Sequence, residues 1–409
     1  MKSSEAKMRI LVISQYFYPE EFRINDLCSA WVSKGYDVTV ITGIPNYPKG
    51  KFFQGYGLFK RRKDNYQGVN IVRLPILSRG KGFLRLSLNY LSFVVSGFFW
   101  AKLSKLNVDL VFINEVSPMT QALPGIWFGK RKRIPVYLYV QDLWPENIEA
   151  TIGSSRKGLL RRIDRIVRRI YHDVDKIFTS SNAYITNIVS KGIDPNKMYY
   201  WPQYAEHFYQ PLARINDFII PDTPSKKIIF TGNMGLAQGL DIILDAAKAT
   251  MHLDIEYYLI GDGSEKVKLM GRTKTDLLTN VHFLDPVKAT EIPQYISQCD
   301  LAYLSLIDEP IYELTVPAKL QSYLACGIPV LASAKGEVAR IIQEFHSGFV
   351  CNFGDNDSLI NSITEFMQLN ADDINQLKRN ARTAYEQMFD KDMLMNQMDT
   401  HLLGEANEN

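Results

Sequence analysis

Twice along its length the chain alternates short runs of β-branched and aromatic residues with stretches of helical period, and this restricts it to few folds. In the first half, residues 9–14 (RILVIS) read as a buried strand, 25–34 as a helix stopped at Gly35, and 37–43 (DVTVITG) as the next strand. Further strands are expected at 70–75, 109–114, 135–141 and 175–181. The second half restarts with 226–232 (KKIIFTG), a helix over 239–249, and strands at 254–263, 281–285, 300–306 and 329–333. Such alternation predicts parallel, doubly wound sheets covered by helices on both faces.

A chain of 409 residues suits two such sheets better than one, at roughly 100 to 200 residues per domain. The boundaries are read as 1–204 for the first domain, 205–385 for the second, and 386–409 for a C-terminal helix returning to the first domain, with a fraying tail. Residues 201–225 hold Pro202, Pro211, Pro221 and Pro224 without clear periodicity, with Pro195 just upstream, and read as a hinge. In open α/β sheets ligands bind beyond the carboxyl ends of the strands, so function is sought in the loops after strands and in a cleft between two facing sheets.

A formal charge of +3 gives no general affinity for polyanions. Four cysteines and six histidines, none at metal-ligand spacing, fit a reducing compartment and no structural zinc. The first seven residues are polar and carry no export signal, and Met8 is a candidate functional start. The apolar stretch at 87–101 is interrupted by Asn89, Ser92 and Ser96, is too short to span a bilayer, and reads as a buried or membrane-facing helix.

Arg23 follows the first strand at the start of a helix, either facing an anion in the cleft or solvated at the surface. Gly232, Gly235 and Gly239 lie in a strand-to-helix turn (TGNMGLAQGL) that either admits a phosphate or is structural. Gly261 and Asp262 lie in a second turn (LIGDGSE), with Asp262 a helix cap or a nucleotide contact. Residues 309–333 place Thr315 and Lys319 at a helix N-terminus, where a cation opposes the helix dipole, so an anionic partner is expected there.

At these residues the chain resembles family 4 of the retaining glycosyltransferases with the GT-B fold, along nearly all of its length. Within it, the chain is most similar to the bacterial O-antigen and capsule branch that includes N-acetyl-L-fucosamine transferases. The stretches are QYFYPEEFRIND, TGIPNYPKGKFF, QDLWPENIEA, YYWPQYAEHFY, TGNMGLAQGLD and TVPAKLQSYLACGIPVLAS. The resemblance implies two Rossmann-like domains facing a central cleft, an acceptor-side first domain and a nucleotide-sugar-binding second one. It implies transfer of a sugar from a UDP-linked donor, without metal or cofactor, to a polyprenyl-diphosphate-linked saccharide.

Carried over by residue, Gly232 to Gly239 match the donor-diphosphate loop, with Asn233 and Gln238 where the family often has Arg and Lys. Neutralisation of the diphosphate then falls to helix N-termini, Lys319 or Arg23. The family's paired glutamates fall on Leu314, beside Glu313, and on Ser322, which assigns Glu313 to the donor sugar and Ser322 to the ribose. Asp142, within QDLWPE where many members carry His-Asp, either positions the acceptor or caps a helix. Gln141 cannot act as a base, and the family's front-face mechanism lets the departing phosphate take the acceptor proton.

Residues 156–171 (RKGLLRRIDRIVRRIY) form a basic amphipathic helix, and Lys130, Arg131, Lys132 and Arg133 a second basic run. With 83–103 they predict peripheral attachment to the anionic inner face of a plasma membrane, against the simpler reading of half-buried helices with solvated faces. An epimerase or oxidoreductase is the competing enzyme, disfavoured because SQYFYPEEF after the first strand has no G-x-G-x-x-G. A non-enzymatic polyanion-binding or nucleic-acid-binding protein is disfavoured by the charge and by two complete sheet domains.

Overall fold

The computed structural model describes residues 8–80, 82–152, 157–213 and 220–403. Arg156 of the basic helix, part of the proline-rich segment and the polar ends of the chain lie outside the described residues. The chain divides at Trp201–Pro202 into two compact units.

The first unit holds strands β1 (Arg9–Ile13), β2 (Asp37–Thr42), β3 (Lys63–Tyr66), β4 (Val69–Arg73), β5 (Leu110–Glu115), β6 (Val136–Val140), β7 (Lys176–Thr179) and β8 (Met198–Tyr200). They form one sheet in the order β3-β4-β2-β1-β5-β6-β7-β8, parallel except where β3 pairs with β4. Ile10, Leu11, Val12 and Ile13 are fully buried, as a central strand covered on both faces requires. Trp31 packs edge-on against Phe112 at 5.0 Å, joining the first helix to β5.

Two elements here escape a hydrophobic reading. β3 (KDNY) is polar and is held by a two-residue turn with both Gln67 and Gly68 at positive φ, a hairpin geometry. β8 is only three residues long.

The second unit holds β9 (Lys226–Asn233), β10 (Ile255–Asp262), β11 (Val281–Leu284), β12 (Leu301–Ser305), β13 (Val330–Ser333) and β14 (Gly348–Cys351). All pair in parallel in the order β11-β10-β9-β12-β13-β14. One face packs on the Ala318–Ala325 and Ala371–Met388 helices through Leu320, Leu324 and Ala384, and the other on Leu244, Ile363 and Phe366. The order reverses between β9 and β12, which pair only through Leu301–Ile228 and Ala302–Ile229, and in open sheets the carboxyl ends at such a reversal are where a ligand is expected.

Candidate functional site

Lys319 is the second residue of the Ala318–Ala325 helix, which follows β12. Its ammonium lies 3.7 Å from the centroid of the Phe230 ring, and burial lowers its pKa to about 7. Among the described residues no carboxylate pairs with it. The apposed β9 tip bends at Gly232, with φ +118, and a Cβ there would stand 3.2 Å from the lysine Cε. The next tip is closer still, since a Cβ on Gly261 would fall 1.9 Å from the Gly232 carbonyl oxygen. Gly232, Gly261 and Lys319 therefore form one surface that places a cation beside backbone bare of side chains.

A buried tyrosine sets that geometry. The Tyr323 hydroxyl, one turn beyond Lys319, accepts the Thr231 N–H at 2.9 Å and lies 3.2 Å from the Thr231 hydroxyl. It ties the end of β9 to the lysine-bearing helix. Nothing in its sequence position separates Tyr323 from an ordinary core aromatic.

The other expected donor residues are distributed around this centre. Gln238 turns its amide oxygen onto the Gly235 N–H at 3.1 Å and so shapes its own loop. Asn233 is exposed at the tip of β9, and Gly239 ends the turn at φ +51. Asp262 is exposed, and its Oδ1 accepts the Gly263 N–H at 2.8 Å. Lys266, absent from the sequence reading, donates to the Gly261 carbonyl at 2.8 Å and adds positive charge beside that turn.

The Thr315 hydroxyl donates to the Ile311 carbonyl at 2.8 Å and that of Ser322 to Ala318 at 3.1 Å, so both bond backbone locally. Glu313 ends a short helix, Pro310–Glu313, with an exposed side chain, while its carbonyl lies against Gly336, the first residue of the Gly336–Glu344 helix. The contacts bring together Gly232, Gly261 and Lys319 and leave Glu313 at the margin of these loops.

In the first unit Arg23 opens the Arg23–Ser33 helix and lies within electrostatic range of Tyr139. Asp142, in the loop after β6, accepts the N–H and hydroxyl of Ser117 at 2.8 and 2.7 Å through one oxygen, Oδ2. Trp144 donates its indole N–H to the same Ser117 hydroxyl at 3.1 Å. Glu115, fully buried at the end of β5, accepts from the Asp142 N–H at 3.4 Å. Burial, with the Asp142 charge adding to it, pushes the Glu115 carboxyl well above the usual range. The Asp142 loop thus rests on a buried acid, with its second carboxylate oxygen able to accept a hydroxyl.

Beside it lies an aromatic group that sequence reading also missed. Tyr16 and Phe22 stack at 5.2 Å, Tyr47 stands 5.4 Å from Phe22, and Tyr90 lies within electrostatic range of Tyr16 and Asp142.

The Phe83–Leu103 helix buries Asn89, Phe93, Gly97 and Ala101. It leaves Leu84, Leu91, Phe99 and Leu103 more than half exposed, with Leu88 and Val95 on the same face. This is the one helix among the described residues long and apolar enough to cross a membrane by length and composition. It joins two parallel strands of one sheet, β4 and β5, and its buried face packs on the unit, a position suited to lying along a surface. In the Lys157–His172 helix, Leu160, Val167, Ile170 and Tyr171 are buried while Arg161, Arg162 and Arg165 are exposed.

The family description "Glycosyl transferases group 1" matches residues 215–384, and "Glycosyl transferase 4-like domain" matches 21–202. WcaI of Escherichia coli K12, a glycosyl transferase named for colanic acid biosynthesis, is 24% identical over 363 residues, covering 84% of this chain and 88% of its own. The sucrose-phosphate synthase of Thermosynechococcus elongatus superposes with a TM-score of 0.75 at 16% identity, over 97% of this chain and 98% of its own. HepE of Anabaena, solved in complex with UDP and glucose, gives 0.66 at 16% identity, over 97% of this chain and 100% of its own. With both halves matched and two parallel-sheet α/β domains present, the chain belongs to the group 1 glycosyltransferases of family 4 and has their GT-B fold.

Proposed function

We propose that the protein transfers a sugar from a UDP-linked donor to a lipid-linked saccharide, with retention at the anomeric carbon, in the synthesis of a surface polysaccharide. The observation that carries this reading is the Lys319 ammonium, held against Gly232 and the Phe230 ring without a carboxylate partner among the described residues. A half-buried cation is costly unless an anion meets it, and a donor diphosphate at the carboxyl ends of β9 and β12 would do so. The UDP bound by HepE supports the nucleotide, and the name of WcaI supports the polysaccharide context. An N-acetyl-L-fucosamine or related deoxyamino sugar is the donor sugar we favour, on the sequence resemblance.

In this reaction the bond from the anomeric carbon to the diphosphate oxygen breaks, and a bond to the acceptor oxygen forms on the same face. The acceptor proton passes to the departing diphosphate. Negative charge grows on that diphosphate, where Lys319 and the backbone of the Gly232 turn stabilise it, each such donor commonly contributing about 3 kcal/mol. Asp142 would orient the acceptor hydroxyl through its free oxygen, and Glu313 would contact the donor sugar.

Attachment to an anionic membrane belongs to the same proposal. Residues 65–108 contain no Asp or Glu but include Arg85, Lys102 and Lys105, so the exposed apolar face is framed by positive charge.

Thermal-shift titration with UDP, GDP and NAD tests the donor class. Stabilisation by UDP that is lost in Lys319→Ala supports the proposal. Stabilisation by NAD alone would redirect it to an oxidoreductase, and stabilisation by none to a binding protein.

A further inference from the structure

Other arginines of the first unit are committed to carboxylates or backbone carbonyls: fully buried Arg73 pairs with Asp64 at 3.1 Å, half-buried Arg168 with Asp164 at 2.7 Å, and half-buried Arg62 donates to the carbonyls of Arg73 and Leu58. Arg79 is held by neither. It precedes the Phe83–Leu103 helix and is half-buried, and its guanidinium donates to the Tyr16 hydroxyl at 3.0 Å and lies over the Tyr47 ring at 5.2 Å. Among the described residues it has no carboxylate partner. Its own N–H is fixed by the Asn46 side chain at 2.8 Å.

The nearby carboxylate, Glu20, is committed elsewhere, since its Oε1 accepts the N–H groups of Asn46 and Tyr47 at 2.7 and 2.6 Å. A guanidinium has five N–H donors, and one that is partly desolvated and oriented by a tyrosine retains donors for a planar or tetrahedral oxyanion. Tyr16 also connects Arg79, through Tyr90, to the neighbourhood of Asp142. The stacked Tyr16 and Phe22 rings and the tilted Tyr47 offer the apolar faces on which sugar rings pack.

We infer that Arg79, oriented by Tyr16 and Tyr47, is an anion-recognition site for the acceptor, binding a phosphate or carboxylate on that molecule while Asp142 receives its hydroxyl. The inference rests on the proposed transfer reaction for the identity of its ligand as an acceptor. The anion could be the phosphate of a lipid carrier or the carboxylate of an acidic sugar. A phosphate ester with an alkyl chain would also find the exposed apolar face of the adjoining helix, beginning at Leu84.

The test is calorimetric titration of the full chain with two probes, geranyl diphosphate and methyl glucuronide, into wild type, Arg79→Gln, Arg79→Lys, Tyr16→Phe and Lys319→Met. Thermal unfolding of every variant, with UDP binding of the Arg79 and Tyr16 variants, serves as the folding control, and UDP binding to wild type tests the donor reading independently. At least one probe should bind wild type and Lys319→Met alike and bind Arg79→Gln about tenfold or more weakly. Arg79→Lys and Tyr16→Phe should be intermediate, because charge without the fork, or the fork without its orienting hydroxyl, retains part of the recognition. Geranyl diphosphate as the Arg79-dependent probe assigns the anion to a lipid carrier, and methyl glucuronide assigns it to an acidic sugar. Equal binding by folded wild type and Arg79→Gln, binding lost only in Lys319→Met, or binding of neither probe to wild type would overturn the inference.

Discussion

The depressed pKa of Lys319 makes the donor site sensitive to pH in a direction that can be worked out. With a pKa of about 7 in the unliganded protein, roughly half of the molecules carry the ammonium at pH 7 and about a tenth at pH 8. A diphosphate against this group favours the charged form, so binding must draw a proton from solution wherever the free lysine is neutral. Above pH 7, where the terminal phosphate of UDP with its second pKa of ~6 is already ionised, affinity should fall about fivefold from pH 7 to 8 and about tenfold, or ~1.4 kcal/mol, from pH 8 to 9. Uptake at pH 8 should approach about 0.9 proton per UDP bound.

Titration calorimetry at pH 8 in buffers of different ionisation enthalpy measures the uptake, and Kd from pH 7 to 9 measures the slope. Lys319→Met should bind weakly at pH 7 without either effect. The folded-state pKa lies below that of the unfolded chain, so this lysine costs stability most at pH 7 and below, and the cost fades as pH rises toward 10. Lys319→Met should therefore be more stable at pH 7, by about 1 to 3 kcal/mol. Wild-type affinity that is flat from pH 7 to 9, with no proton uptake, would refute the placement of the diphosphate at this lysine.

Further outcomes follow from single contacts. Tyr323→Phe strands the buried Thr231 N–H, and should lower stability by about 1 to 3 kcal/mol and weaken UDP binding as the Gly232 turn loosens from the lysine helix, measured by denaturant unfolding and titration. Glu20 is held by burial at a pKa of about 7, above its unfolded value, so its share of stability is full below pH ~4.5 and is lost as pH rises to 7. Glu20→Gln can still accept the Asn46 and Tyr47 N–H groups, and its melting temperature should decline less than that of wild type between pH 5 and 7. In flotation with vesicles containing phosphatidylglycerol at low salt, wild type should float, and Leu88→Glu combined with Leu91→Glu should reduce binding about tenfold. Failure of wild type to float would remove the membrane from the account.

The doubly wound architecture is legible because buried parallel strands must be continuous apolar runs: RILVI, VYLYV and LAYLS announce themselves without reference to partners. β3 does not, because KDNY derives its place from pairing with β4 at the sheet edge and not from burial. The glycine turns after β9 and β10 and the misplaced cation at Lys319 also show in sequence, since each violates a local preference that only a ligand or a close backbone approach explains. Tyr323, Glu115 and Arg79 leave no such trace. Their roles arise from neighbours 92, 27 and 63 residues away, Thr231, Asp142 and Tyr16, that only the fold brings into reach. Ser322 and Gln238 carry the opposite lesson: each looks like a ligand group in sequence, yet each bonds backbone in its own helix or turn.

The central claim is that the loops around Lys319 bind a UDP-sugar for retaining transfer. Its most direct test is incubation of the protein, with lipid-linked saccharide acceptors, against a panel of UDP-, GDP- and dTDP-sugars, followed by NMR of the purified product. The account predicts turnover of a UDP-sugar, at least a hundredfold slower in Lys319→Ala, with the anomeric configuration of the donor preserved in the product. An inverted linkage, or a GDP- or dTDP-sugar as the sole donor consumed, would contradict it.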